Sequence, residues 1–162
     1  GRMELVTTPG SEIAVIVDYS HKPEALAQAL RTLRSVSSGH VWVVFGAGGD
    51  RDPQKRPLMG QIAAELADEI VVTSDNPRSE DPSDIAEQIV SGMDERSTGP
   101  KILLERAEAI QFAVNHATTG DSVLIAGKGH ETYQITGSQQ LPFDDTEVVK
   151  EALLKRDGTQ HP

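Results

Sequence analysis

The chain contains no cysteine. That excludes disulfides and thiolate metal sites outright, and it agrees with a cytoplasmic protein. No apolar run approaches the roughly 20 residues a helix needs to cross a bilayer, and no signal-peptide pattern opens the chain. Positive charge is also scarce: 15 Lys and Arg stand against 25 Asp and Glu, a formal net charge of −10. This balance argues against nucleic acid or an anionic membrane surface as a partner. Any anion the protein binds must therefore be held by locally placed cations. Motifs of fixed mechanism are missing too. Neither the G-x-G-x-x-G dinucleotide fingerprint nor the G-x-x-x-x-G-K-[ST] phosphate loop occurs, which disfavours a nicotinamide oxidoreductase. No Ser-His-Asp order, metal-ligand spacing or paired-carboxylate motif stands out, so no catalytic and no metal-binding residue is assigned. Repeats, low-complexity tracts and internal linkers are absent.

What is present points to one α/β domain. With 162 residues, 37% of them hydrophobic, the chain is long enough to bury a real core. Near-continuous Val/Ile/Leu runs predict strands at Ile13–Val17, Val41–Phe45, Glu69–Thr73, Ile102–Leu104 and Ser122–Ala126. Amphipathic stretches between them predict helices over Pro23–Arg34, Pro57–Leu66, Ser83–Met93 and Ala107–Ala117. Pro23 and Pro57 sit where a first helical turn tolerates proline. This alternation predicts a Rossmann-like, mostly parallel sheet with helices on both faces. Tyr133–Thr136 and Gln140–Phe143 flank Gly137-Ser138 and predict a hairpin. Asp144-Asp145 then caps a last helix reaching about Lys155. The domain is expected over residues 1–156, with a frayed tail at 157–162. Gly1 to Val6 reads as a strand entered at once, which fits a natural N-terminus or a domain cut from a longer chain.

In open α/β sheets, ligands collect at the carboxyl ends of the strands. Four strands here end in polar, turn-rich loops: 18–23, 46–52, 74–78 and 127–131. For each loop a plain reading stands beside a functional one. Asp18 and His21 suit capping of the next helix, or contact with ribose hydroxyls and a stacked base. Gly46–Gly49 suits a tight turn, or close backbone approach to a ligand. Arg51 and Arg78 suit surface ion pairs with Asp50, Asp52 or Glu80, or bidentate capture of carboxylates. Pro77 stiffens the turn before Arg78 and pushes Asn76 out of the helical region. Together the loops offer two arginines, a glutamate and exposed backbone around one sheet edge. A ligand with both carboxylate and ammonium groups, such as an amino acid, matches that inventory better than a phosphate does.

The stretches VDYSHKPEAL, VFGAGGDRDPQKRPLMG, SDNPR and IAGKGHETYQ, in that order, resemble the C-terminal domain of the MurE-type Mur ligases. The resemblance runs to about Leu154. It implies a substrate-recognition domain of an ATP-dependent amide ligase adding meso-diaminopimelate to UDP-MurNAc-L-Ala-D-Glu in peptidoglycan synthesis. By that similarity, Asp75-Asn76-Pro77-Arg78 is the diaminopimelate motif, with Arg78 on the distal carboxylate and Asn76 orienting the ligand. Arg51 looks like the second carboxylate contact, while Gly127 and Glu131 look like the holders of the distal ammonium. Asp18 and His21 would face ATP. The family's nucleotide loop, Mg²⁺ ligands and UDP-binding domain are missing from this chain. ATP and Mg²⁺ would therefore be bound mainly by the N-terminal and central domains, and the fragment alone should be inactive. A folylpolyglutamate-synthase-like ligase shares the domain type, but D-N-P-R and G-K-G-H-E argue against it. A non-catalytic amino-acid-binding module is the remaining alternative.

Overall fold

Burial on both faces of the central strands decides the architecture. In the computed structural model, which describes residues 3–8, 10–94 and 99–160, all five residues of the central strand β3 (Val41–Phe45) are buried. Around it run β1 (Glu4–Val6), β2 (Ala14–Asp18), β4 (Glu69–Val72), β5 (Lys101–Ile102) and β6 (Ser122–Ala126), in the spatial order β1-β2-β6-β3-β4-β5. Every pairing is parallel except β1 with β2. The register aligns Val17, Ile125, Val44 and Val71 in one row across four strands. These four side chains fall in one core with Ala109, Ile110, Ala113 and Val114 of α4 (Arg106–His116) and Val149, Ala152 and Leu153 of α5 (Asp145–Gln160). One residue back, Ile16, Leu124 and Val43 point to the opposite face. There they meet α1 (Pro23–Val36), α2 (Lys55–Leu66) and α3 (Pro82–Val90). Such two-sided burial is why the strands read as unbroken apolar runs.

The expected strands and helices all form, with small shifts of boundary. Strand β5 is cut to two residues because it lies at the sheet edge and pairs only with β4. Helix α2 starts at Lys55 and places Pro57 inside its first turn, while α3 stops at Val90 instead of Met93. Asp81 caps α3 by accepting from Ser83 N at 2.9 Å. Asp144 caps α5, accepting from Thr146 N at 3.0 Å. Helix α5 continues to Gln160, through most of the stretch expected to fray; residues 161–162 lie outside the described residues. The hairpin forms as β7 (Tyr133–Thr136) and β8 (Gln139–Pro142).

Because β6 inserts between β2 and β3, the chain reverses its winding there, and a crevice opens at the carboxyl edge of the sheet. A buried ion pair braces that edge. Arg106 Nε and Nη2 each reach an oxygen of Asp145 at 2.7 Å, and both side chains are fully buried. The remaining donors close on the carbonyls of Ser74 at 3.0 Å and Ala126 at 3.1 Å. One guanidinium thus ties the ends of β4 and β6 to two helices, with its charge paired and its hydrogen bonds made.

Candidate functional site

A cavity of about 450 Å³ sits at this edge. Its wall contains His21, Arg51, Asp75, Asn76, Arg78, Gly127 and Glu131, so the fold gathers seven of the nine residues singled out in the sequence. The exceptions are Asp18 and Pro77. Asp18 is buried and turned into its own loop, where its carboxylate accepts from Ser20 N at 3.0 Å and from Ser20 Oγ. It does not cap α1 either, whose N-cap is Lys22 without a side-chain bond. Pro77 is buried against the glycine loop. A Cβ on Gly49 would lie 1.8 Å from the Pro77 carbonyl oxygen, so only glycine lets the two loops touch.

Arg78 is the most tightly constrained of these residues. Its backbone lies in the left-handed region at φ 53, which an arginine adopts only under constraint. The hairpin supplies that constraint: Arg78 N donates to Ile135 O at 3.0 Å, and Gly137 N donates to Arg78 O at 2.6 Å. The side chain turns back over the glycine loop, with Nη1 on the Gly49 carbonyl at 2.9 Å. Among the described residues no carboxylate forms an ion pair with Arg78 or Arg51. Asp50 feels the pull of Arg78, so for Arg78 the ion-pair reading is reduced to a longer-range attraction. Arg51 lies on the same side of the cavity, over Gly48 as Arg78 does, its Nη1 on its neighbour's carbonyl at 2.9 Å. His21 packs edge-on against Tyr19 with ring centroids 4.6 Å apart.

Beneath the arginines lies a buried polar cluster. Asn76 is buried, and its Oδ1 accepts from Lys128 Nζ at 2.8 Å and Ile135 N at 3.0 Å. Its Nδ2 faces Glu131 Oε1 at 3.4 Å. Asp75 lies beside it, and burial pushes its carboxyl up, against the pull of Arg106 and Lys128. Burial pushes the Lys128 ammonium down, with Asp75 opposing. Gly127, at φ 119, brings its backbone against Asp75; a Cβ there would fall 2.4 Å from Oδ2.

Sequence reasoning did not single out Arg56 or Arg106. Arg56 is buried and fans its donors onto Glu80 at 2.7 and 3.0 Å, Gln88 at 2.9 Å and the Gly48 carbonyl at 2.9 Å. It locks the glycine loop to the segment after Arg78. The pull of Arg56, with the Asp50 backbone N–H, holds the Glu80 carboxyl at about 2. Its side-chain partners, Glu80 and Gln88, are 24 and 32 residues away in sequence, so no local pattern signals them.

Residues 1–129 match the family described as Mur ligase, glutamate ligase domain. The chain belongs to this family. The Mur ligase domain is 52% identical over 157 residues to the UDP-N-acetylmuramoyl-L-alanyl-D-glutamate--2,6-diaminopimelate ligase of Synechocystis sp., covering 96% of this chain and 31% of that protein. The ligase of the same name from Alkalilimnicola ehrlichii is 53% identical over 158 residues, with 98% and 31% covered. A solved structure of such a ligase superposes with a TM-score of 0.90 at 43% identity, over all of this chain and 32% of that one. The domain thus spans about a third of the length of these relatives. A bifunctional folylpolyglutamate synthase/dihydrofolate synthase from Yersinia pestis, at TM-score 0.57 and 22% identity, shares the fold alone. No described helix of the Mur ligase domain is long and apolar enough to cross a membrane.

Proposed function

We propose that this domain selects and holds meso-diaminopimelate for an ATP-dependent amide ligase that extends UDP-MurNAc-L-Ala-D-Glu in cytoplasmic peptidoglycan synthesis. One observation carries the reading: Arg51, Arg78 and the Asn76 amide share a cavity wall with Glu131. Diaminopimelate offers two carboxylates for the arginines and a distal ammonium for the glutamate. The names of the relatives support the same substrate. Arg78 takes the distal carboxylate, with Asn76 donating beside it, and Arg51 takes the second carboxylate. Glu131 and the Gly127 backbone take the distal ammonium, which leaves the other amine directed out of the cavity as the nucleophile. Held this way, the amine loses the freedom that makes a bimolecular attack slow. Asp75 shapes the floor beneath Gly127 and keeps the loop closed on the ligand.

ATP and Mg²⁺ are assigned mainly to the other domains of the ligase. The chain has no G-K-[ST] loop, and its described residues hold no cluster of three metal-ligating side chains. His21, exposed at the cavity rim, is the residue placed to meet the nucleotide from this side.

Selectivity tests the proposal. Lysine has the distal ammonium but no distal carboxylate, so in this cavity it leaves Arg78 without a counter-charge. Calorimetric titration of the chain with meso-diaminopimelate and with L-lysine should show diaminopimelate bound at least tenfold more tightly, an order-of-magnitude expectation for one unmet charged hydrogen bond. Equal binding, or a preference for lysine, would show that the Asp75–Arg78 stretch is being read wrongly.

A further inference from the structure

Lys128 is the one fully buried ammonium at the site, and the ligand reading gives it no contact. It sits between Gly127 and Gly129, both at positive φ (119 and 56), and this pair of reversals throws the side chain inward. Its Nζ donates to Asn76 Oδ1 at 2.8 Å and to Glu131 Oε1 at 3.3 Å, and lies 5.7 Å from the centre of the Tyr133 ring. A lysine ammonium has donors only. Whatever atom it meets on Asn76 must be the oxygen.

We propose that Lys128 is a positioning residue that fixes which end of the Asn76 amide faces the cavity, making Asn76 a donor and so biasing the site toward a ligand carboxylate. Two donors converge on Oδ1, Lys128 Nζ and Ile135 N at 3.0 Å. Flipping the amide would set its NH₂ against both of them and leave the buried ammonium with Glu131 alone. The flipped state is therefore closed to the folded protein. With Oδ1 committed below, Nδ2 is aimed at the cavity side, where it meets Glu131 Oε1 at 3.4 Å. A donor at that point welcomes a carboxylate and repels an ammonium. Lys128 and Asn76 both engage Oε1, which leaves the other oxygen of Glu131 to take the ligand's ammonium. The cavity thus has a donor side and an acceptor side, and the residue that sorts them lies outside the ligand's reach. The inference rests on the diaminopimelate reading for its ligand, but the amide orientation stands without it.

The test uses the whole chain, with Lys128→Met to keep the bulk and remove the donor. Binding of meso-diaminopimelate should fall by about tenfold or more, as expected when a buried acceptor loses its charged partner. Binding of L-lysine should fall much less, and the Asn76 side-chain amide resonances should shift or double. The proposal is overturned if the variant keeps the wild-type preference between the two amino acids. It is overturned equally if both affinities fall together with the melting temperature, as a purely structural lysine would give. Should the variant not fold, the wild type decides by nuclear Overhauser contacts. Asn76 Nδ2 protons must lie near the Glu131 side chain and away from the Ile135 amide proton, and the opposite pattern sinks the idea. If the wild type binds neither amino acid, the diaminopimelate reading fails and takes the selectivity half with it. The Overhauser pattern then still judges the orientation half.

Discussion

Arg78 combines backbone strain with a guanidinium that, among the described residues, forms no close ion pair, and both argue for a ligand. Left-handed backbone costs a residue with a Cβ on the order of 1–2 kcal/mol, which a mere surface charge would not sustain. Arg78→Ala should lower affinity for diaminopimelate by about 10²-fold, the scale of an ionic partner left unmet. Lysine binding should change far less. Arg78→Lys should restore only part of the loss, since an ammonium cannot present a planar fork. Calorimetry on the three proteins checks this, and unchanged diaminopimelate binding in both variants would return Arg78 to the ordinary surface. Glu80 makes a separate prediction, for stability. Its carboxyl is held at about 2, below the ordinary 4.5, by Arg56 and the Asp50 N–H. A depressed folded-state value means stability that is fully present above about 4.5 and lost as pH falls toward 2. Denaturant midpoints measured across that window should fall more steeply for the wild type than for Glu80→Gln. Parallel curves would show that the pair contributes nothing to acid sensitivity.

Among the elements, the β7–β8 hairpin is the one whose value depends on what it touches. Its second strand is exposed throughout, and it forms its own small sheet apart from the main one. Yet four of its bonds land on the segment 75–78: Gln134 Nε2 on Asp75 O at 2.7 Å, Ile135 N on Asn76 Oδ1, and the two that clamp Arg78. Gly137 sits at φ 60 with open space around its missing Cβ. Gly137→Ala therefore meets only the conformational penalty, about 1–2 kcal/mol. Faster hydrogen exchange at the Arg78 amide is expected, with little change at β3 or β6. Undiminished protection at Arg78 would show that the turn, and not the hairpin, holds it. The hairpin was legible in sequence because Gly137-Ser138 divides two short segments of strand length. Its partner was not, since an isolated bridge between Arg78 and Thr136 leaves no periodic trace. The core strands were legible for the opposite reason: burial on both faces writes itself as unbroken Val/Ile/Leu. Strand β5, exposed and two residues long, carries the least of that pattern and was placed least well.

Across the whole molecule, the strand-end rule pointed to the edge where the cavity lies, and the fold put seven of the nine chosen residues in its lining. What stayed hidden was the layer behind them. Arg56, Arg106 and Lys128 look in sequence like any solvated cation, and only burial shows that each is spent on a particular carbonyl or carboxylate. Asp18 is the converse case, a strand-end carboxylate that is buried and accepts from its own Ser20. This accounting bears on ATP. Of the cations lining the cavity, Arg56 is committed to Glu80, and the proposal gives Arg51 and Arg78 to carboxylates. Lys55 and His21 remain for a nucleotide, on a chain whose net charge is −10 and which has no phosphate loop. A triphosphate needs several donors aimed at it at once, commonly backbone N–H groups at a helix start with a lysine and a metal. The purified chain should therefore bind ATP weakly and release no ADP in a steady-state coupled assay with Mg²⁺, with or without diaminopimelate. Sustained, metal-dependent ADP release that survives further purification would place the phosphate chemistry inside this domain, and the division of labour proposed for the ligase would be wrong.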